Sequence, residues 1–208
     1  MINTRVLILF IRNPELGKVK TRLARNLGDA EALRIYKFLL DKTRAASMEV
    51  SAKRHLFYSN FIDEQDLWPN EHFHKRLQAT GDLGKRMEAA FEQVFQEGAE
   101  KVIIIGSDCP ELNGAILEQA FAALEQHDFV LGPTPDGGYY LLGMNHFEPS
   151  VFREIEWSTE TVREKTLKRI HDLDKSVFLL PELNDIDEAE DWEGYLSDIA
   201  ISEKRNTN

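Results

Sequence analysis

A chain of 208 residues is long enough for one domain with a full hydrophobic core. Its 42% hydrophobic and 29% charged residues are ordinary for a globular protein, and a formal net charge of −11 excludes a general nucleic-acid binder. No apolar run approaches the roughly 20 residues of a membrane helix, and the apolar stretch 6–11 is too short for a signal peptide, so a cytoplasmic protein without a membrane partner is expected. Cys109 is the single cysteine, which excludes an internal disulfide.

The charge is unevenly placed. Residues 1–27 carry Arg5, Arg12, Lys18, Lys20, Arg22 and Arg25 against Glu15 alone, on a chain that is otherwise acidic. Each of these cations taken singly reads as a solvated helix charge. Together they point to a small anionic ligand held locally, such as a polyphosphate.

In chain order, residues 5–11 read as a first strand, followed by a loop to residue 20. A helix starts near Thr21, breaks at Gly28 and continues over 29–48, where Leu33, Tyr36, Leu39 and Leu40 keep helical spacing. Residues 54–59 read as a second strand, 60–74 carry no assignable pattern, and 76–79 read as a short strand. Asp82 caps a helix over 83–96 that Gly98 closes. The run Val102, Ile103, Ile104, Ile105 suits a central strand buried on both faces. A helix over 113–126, strands at 128–131 and 139–144 joined by a Gly137-Gly138 turn, a helix from Ser158 or Thr159 to 172, a strand at 177–180 and a helix over 188–199 complete the pattern. Strands separated by helix-length segments imply an α/β, three-layer α/β/α sandwich, and the hairpin makes its sheet mixed. Residues 1–201 form one domain, and 202–208 read as a frayed tail.

Six segments carry polar groups beyond structural need. FIRNPELGKVKTRL (10–23) leaves strand one and enters a helix: Arg12, Lys18, Lys20 and Arg22 offer cations, and Gly17 lets the loop approach a phosphate. It matches neither GxxxxGK[ST] nor GxGxxG. GDLGKRM (81–87) is either a capped helix start or a place where Gly81 and Gly84 admit a ligand to the backbone, with Arg86 on a phosphate. GSDCP (106–110) puts Asp108 just past a central strand, where it either caps a helix or faces a ligand. GPTPDGGYYLLG (132–143) is a hairpin turn with more glycine, proline and acid than a turn requires, and Asp136 is its polar contact. WSTETV (157–162) is an N-cap or a second anion site through Ser158 and Thr159. The late acidic run LNDIDEAEDW (183–192) is either a solvated face or brings Asp185 or Asp187 to the metal of Asp108, hard oxygen ligands suited to Mg²⁺ or Mn²⁺. No HExxH or GxSxG is present, and Cys109 has no recognisable base beside it.

With these segments in this order, the chain resembles the GT-A-type nucleotide-diphospho-sugar transferase superfamily. Within it, it is most similar to a bacterial family of uncharacterised "glycosyltransferase A" proteins related to phospholactate and molybdenum-cofactor guanylyltransferases. The resemblance spans residues 7–192. It implies a Rossmann-like, mostly parallel mixed sheet with a nucleotide at its C-terminal edge, and a divalent metal on Asp108 with a second acid from 185–187. Two features depart from that pattern: RNPELGKVKTRL replaces the glycine-rich opening loop of sugar nucleotidyltransferases, and one Asp replaces the Asp-x-Asp of glycosyltransferases.

The expectation is a metal-dependent transferase using a nucleotide or nucleotide-diphosphate sugar and a small acceptor. Catalysis falls to Asp108, Lys20 and Arg22, and phosphate or nucleotide binding to Arg12, Gly17, Lys18, Lys20, Arg22, Gly81, Gly84 and Arg86. The acceptor pocket comprises Asp136, Gly137, Gly138, Tyr139, Trp157, Ser158 and Thr159, and the Mg²⁺ or Mn²⁺ ligands are Asp108 and Asp187. The alternative is a catalytically silent nucleotide-sugar-binding or partner-binding protein.

Overall fold

A computed structural model describes residues 4–206 of the chain. The strands Arg5–Ile11 (β1), Lys53–Tyr58 (β2), Phe73–Leu77 (β3), Lys101–Ile105 (β4), Phe129–Pro133 (β5), Tyr139–Met144 (β6) and Val177–Leu179 (β7) form one sheet of order β3-β2-β1-β4-β6-β5-β7. β6 is antiparallel to β4 and β5, and every other pairing is parallel. This is the mixed, mostly parallel sheet expected. The helices are Thr21–Leu27 (α1), Asp29–Met48 (α2), Leu83–Gln96 (α3), Gly114–Ala123 (α4), Val162–Asp172 (α5) and Ala189–Asn206 (α6), with a short 3-10 turn at Pro149–Phe152. Among the described residues no helix is long and apolar enough to cross a membrane.

Alternation along β1 builds the layers. Leu7, Leu9 and Ile11 face Tyr36 and Leu40 of α2 and Leu117 and Phe121 of α4. Val6 and Ile8 face the other way, onto Met87, Phe91 and Val94 of α3 and Ile170 of α5. A third cluster joins Leu23 of α1 and Ile35 and Leu39 of α2 to Ile186 and Trp192. β4 is buried along its whole length, as its run of β-branched residues requires.

Several boundaries differ from those expected. β3 lies a few residues earlier than 76–79, because its register is set by pairing with β2 (Arg54 opposite Phe73, Tyr58 opposite Leu77) and not by a strand signal of its own. α5 starts at Val162, and neither Ser158 nor Thr159 caps it. Thr159 Oγ1 instead donates to Glu156 O at 2.8 Å, and the cap position, Thr161, makes no side-chain bond to the helix. α6 continues to Asn206 past the point where a frayed tail was expected, in a stretch containing good helix formers; residues 207–208 lie outside the described residues. The unassigned segment before β3 is anchored from below. Lys75 Nζ reaches Asp66 and the carbonyl of Asp63, both at 2.7 Å, Tyr58 donates its hydroxyl to Asp66, and Trp68 packs edge-on to Phe73.

Strand order reverses between β1 and β4, since the chain leaves β1 toward β2 while β4 lies on the other side. In such a sheet the crevice for a ligand opens at the C-terminal ends of those two strands.

Candidate functional site

At that crevice lies a cavity of about 690 Å³, lined from the ends of β1 and β4, the first residues of β6, the start of α3 and residues of the segments 157–162 and 185–187. Asp108 enters it from the turn after β4. It is not a helix cap: Asn113 holds that position for α4, its side chain accepting from the Ile116 N–H. The capping reading of Asp108 is thereby excluded, and Asp108 lines the cavity.

The late acidic segment reaches the same place by backbone hydrogen bonds. Beyond β7 the chain donates in turn from Leu180 N to Leu131 O, from Leu183 N to Pro133 O and from Ile186 N to Asp108 O, each within 3.2 Å. This leaves both Asp185 and Asp187 lining the cavity beside Asp108. Asp185 has its pKa pushed up to about 6, first by its own burial and then by Asp136, Asp108 and Asp187, so three half-exposed or exposed carboxylates crowd a fourth that is partly buried.

Lys20 lies among them. Its Nζ is 2.6 Å from Asp108 Oδ1 and 3.5 Å from Asp187 Oδ1, and its side chain is 6% exposed. Burial works against its charge, but Asp108, Asp187 and Asp185 outweigh that and raise its pKa. Arg22 closes the outside of the cluster with Nη1 3.0 Å from Asp187 Oδ2.

On the other wall, Arg12 and Arg86 bring two guanidinium groups near each other. The Arg86 pKa is lowered by burial and then by Arg12. Arg86 bonds to Gln78 Oε1 at 2.9 Å and to the Asp82 carbonyl; neither arginine forms an ion pair among the described residues. Both guanidinium groups line the cavity, and their chemistry suits an anion.

The remaining expected residues divide. Asp136, Gly138, Tyr139, Trp157, Ser158 and Thr159 line the cavity. Asp136 is held by Thr134 Oγ1 and the Gly138 N–H, and burial of the Tyr139 hydroxyl pushes its pKa up against a smaller, opposite effect of Thr166. Gly17, Lys18, Gly81, Gly84 and Gly137 do not line it. Lys18 pairs with Glu15 at 2.7 Å with its side chain 64% exposed. The space beside Gly84 is filled by Trp157, and Gly137 lies against the Glu160 carbonyl, so these glycines admit packing and not a ligand. At Gly17 (φ +73) and Gly81 (φ +117) the backbone is left-handed, a turn requirement. Cys109 is buried with its thiol pKa raised, first by desolvation and then by Asp185 and Asp108, the opposite of an activated nucleophile.

Three contributors had no signal of their own. Tyr36, which in sequence is one more apolar position of α2, accepts at its hydroxyl from the Arg12 N–H (2.8 Å), donates to the Arg12 carbonyl (3.1 Å) and contacts Ser107 Oγ (3.5 Å). It joins the loops after β1 and β4, and burial pushes its pKa up to about 12. Gln78, just past β3, donates to the carbonyls of Ile11 and Phe57 and holds Arg86. Asn13 is 1% exposed: its Nδ2 donates to the Phe61 carbonyl, and its Oδ1 accepts from the backbone of Asn60 and Phe61.

Comparison with known structures places this arrangement. A candidate nucleotide-diphospho-sugar transferase from Desulfovibrio desulfuricans G20 superposes with a TM-score of 0.81 at 31% identity, over 88% of this chain and 82% of that one. CMP:2-keto-3-deoxy-manno-octonic acid synthetase complexed with CTP shares the fold (TM-score 0.54, 10% identity, 96% and 99% covered). So does Rv0371c of Mycobacterium tuberculosis H37Rv in complex with manganese (TM-score 0.51, 14% identity, 94% and 98% covered). No curated protein sequence matches the chain. The chain has the fold of the nucleotide-diphospho-sugar transferases, whose similar structures include nucleotidyltransferases. Residues 42–159 match the family described as "Uncharacterized protein conserved in bacteria (DUF2064)", and with more than half of its length matched the chain belongs to that family.

Proposed function

We propose that the protein is a transferase that uses a nucleotide or nucleotide-diphosphate sugar and transfers to a small acceptor. The observation that carries this is the division of the crevice into an anion wall and a carboxylate wall, Arg12 and Arg86 on one side and Asp108, Asp136, Asp185 and Asp187 on the other. A polyphosphate needs the first, and a cation on its leaving group needs the second.

The donor set fits Mg²⁺ or Mn²⁺. Among the described residues no group of three His, Cys, Asp or Glu converges on one cation position. Mg²⁺ commonly takes only one or two protein carboxylates, however, and completes its shell with substrate phosphates and water. Asp108 and Asp187, whose oxygens already share one ammonium, are the two that would hold it. A bound cation would supply charge neutralisation at the diphosphate. Arg12 and Arg86 orient the phosphates, Lys20 and Arg22 offset charge that develops on the leaving group, and Tyr36 fixes the Arg12 backbone against the β4 turn. Trp157, Tyr139 and Asp136 shape the far end as the acceptor pocket, with the two half-buried aromatic rings as its apolar wall.

Thermal shift with a panel of nucleoside triphosphates and UDP- or GDP-sugars, each with and without Mg²⁺ or Mn²⁺, tests the reading. Stabilisation by a triphosphate selects nucleotidyl transfer and stabilisation by a diphosphate sugar selects glycosyl transfer. No stabilisation by any of them removes the proposal.

A further inference from the structure

The place where a cation would enter between Asp108 and Asp187 is held by the chain itself. Lys20 Nζ sits 2.6 Å from one carboxylate and 3.5 Å from the other, at the end of a side chain only 6% exposed. Its backbone is left-handed (φ 46, ψ 48), a conformation that costs a non-glycine residue and persists only where surroundings enforce it. Lys20 occupies the N-cap position of α1, where an ammonium has no acceptor to offer the helix N–H groups, and its Nζ bonds to the carboxylates. The second cation on Asp187, Arg22, differs in kind: its side chain is 60% exposed and its contact is open to solvent and salt.

A divalent ion arriving alone must expel that ammonium and leave it buried without a partner, which is costly. A polyphosphate lying toward Arg12 and Arg86 changes the balance, because its oxygens can accept the displaced ammonium inside the same cavity. We propose that Lys20 is the chain's own counter-cation for Asp108 and Asp187, and that a divalent cation replaces it there only as a di- or triphosphate takes over its ammonium. Cation and polyphosphate then bind cooperatively through one side chain, and the coupling is reciprocal. The inference deepens the transferase reading and rests on it for the identity of the polyphosphate.

The test is an equilibrium titration of Mn²⁺ followed by electron paramagnetic resonance, with and without inorganic pyrophosphate, the protein-free Mn²⁺–pyrophosphate complex being subtracted. In the unmodified chain pyrophosphate is expected to tighten Mn²⁺ binding by about fivefold or more, within the usual range of coupling. Lys20→Met is expected to bind Mn²⁺ alone about fivefold or more tighter than the unmodified chain, and pyrophosphate then adds little. Arg22→Ala removes the same formal charge from the solvent side and is expected to change Mn²⁺ affinity by less than about twofold, as for a screened surface pair. Lys20→Gln, which keeps a polar stem without the charge, repeats the test should the Met variant fail to fold. The proposal is overturned if a folded Lys20 variant binds Mn²⁺ no tighter than the unmodified chain, or if Arg22→Ala tightens binding equally. It is also overturned if pyrophosphate leaves the unmodified chain's Mn²⁺ affinity unchanged, whether or not the variants fold. No nucleotide enters these titrations. A chain that passes them and fails the nucleotide panel keeps the exchange and loses the transferase reading, and the reverse result separates the two equally well.

Discussion

The indole of Trp157 occupies the volume that a side chain at Gly84 would need. A Cβ built on Gly84 falls 2.2 Å from Nε1 and 2.4 Å from Cε2 of that ring. The first turn of α3 and the segment leading to α5 are thereby locked together across one rim of the crevice. Gly84→Ala forces the ring away from the helix. A loss of about 1–3 kcal/mol is expected from such overpacking, together with a red shift of tryptophan emission as Trp157 becomes solvated. Urea unfolding and fluorescence of the same variant check both.

Tyr36→Phe removes one hydroxyl and leaves the Arg12 N–H and carbonyl without their partner. The expected cost is about 1–3 kcal/mol of stability, the penalty for a polar group stranded in a buried place. Weaker binding of pyrophosphate should accompany it, since Arg12 follows its own backbone. Chemical unfolding and calorimetric titration measure the two effects separately.

Lys75 and Asp66 form a pair with side chains 5% and 13% exposed, and Tyr58 donates to the same carboxylate. Lys75→Met leaves that carboxylate buried and unpaired, and a loss of about 3–5 kcal/mol is expected by chemical denaturation. The segment between β2 and β3 should become the first site of limited proteolysis in this variant, because the pair ties it to β3.

His55, 4% exposed, faces Lys53, His74, Arg76 and Glu97 at the sheet edge. Burial, then the charges of Arg76 and His74, press its pKa down from the model-peptide 6.5 to about 4. The folded protein therefore binds fewer protons here than the unfolded chain between those values, so stability falls as pH drops from 6.5 toward 4. His55→Leu should flatten that slope. Urea midpoints of both proteins at pH 7 and pH 4.5 decide it, and equal slopes would sink the assignment.

Local signals reached far in this chain. The break at Gly28 was legible because the backbone there is left-handed (φ 82) and glycine adopts it freely. The buried β4 followed from four apolar β-branched residues in a row. The hairpin of β5 and β6 followed from Gly137-Gly138 between apolar runs. The fate of Asp108 was not legible, because aspartate and asparagine compete for the same capping role and only the extra turn after Cys109 awards it to Asn113. Nor could spacing show that Gly84 and Gly137 serve packing. Their neighbours, Trp157 and Glu160, come from distant sequence. Lys20 was read as a phosphate ligand from the basic loop alone. Its engagement with Asp187 depends on how the late segment docks, which no local pattern encodes.

That docking has a consequence for biosynthesis. Asp108 and Lys20 emerge early from the ribosome, but Asp187 joins them only after Leu180, Leu183 and Ile186 have each donated a backbone bond to Leu131, Pro133 and Asp108. These contacts span long stretches of chain and close late in folding. A chain that ends before Leu180 carries the sequence of β1 to β6 but lacks Asp185 and Asp187, which leaves Asp108 as the one carboxylate within reach of the Lys20 ammonium. Only a protein translated beyond its last strand, through Asp187, holds the complete constellation.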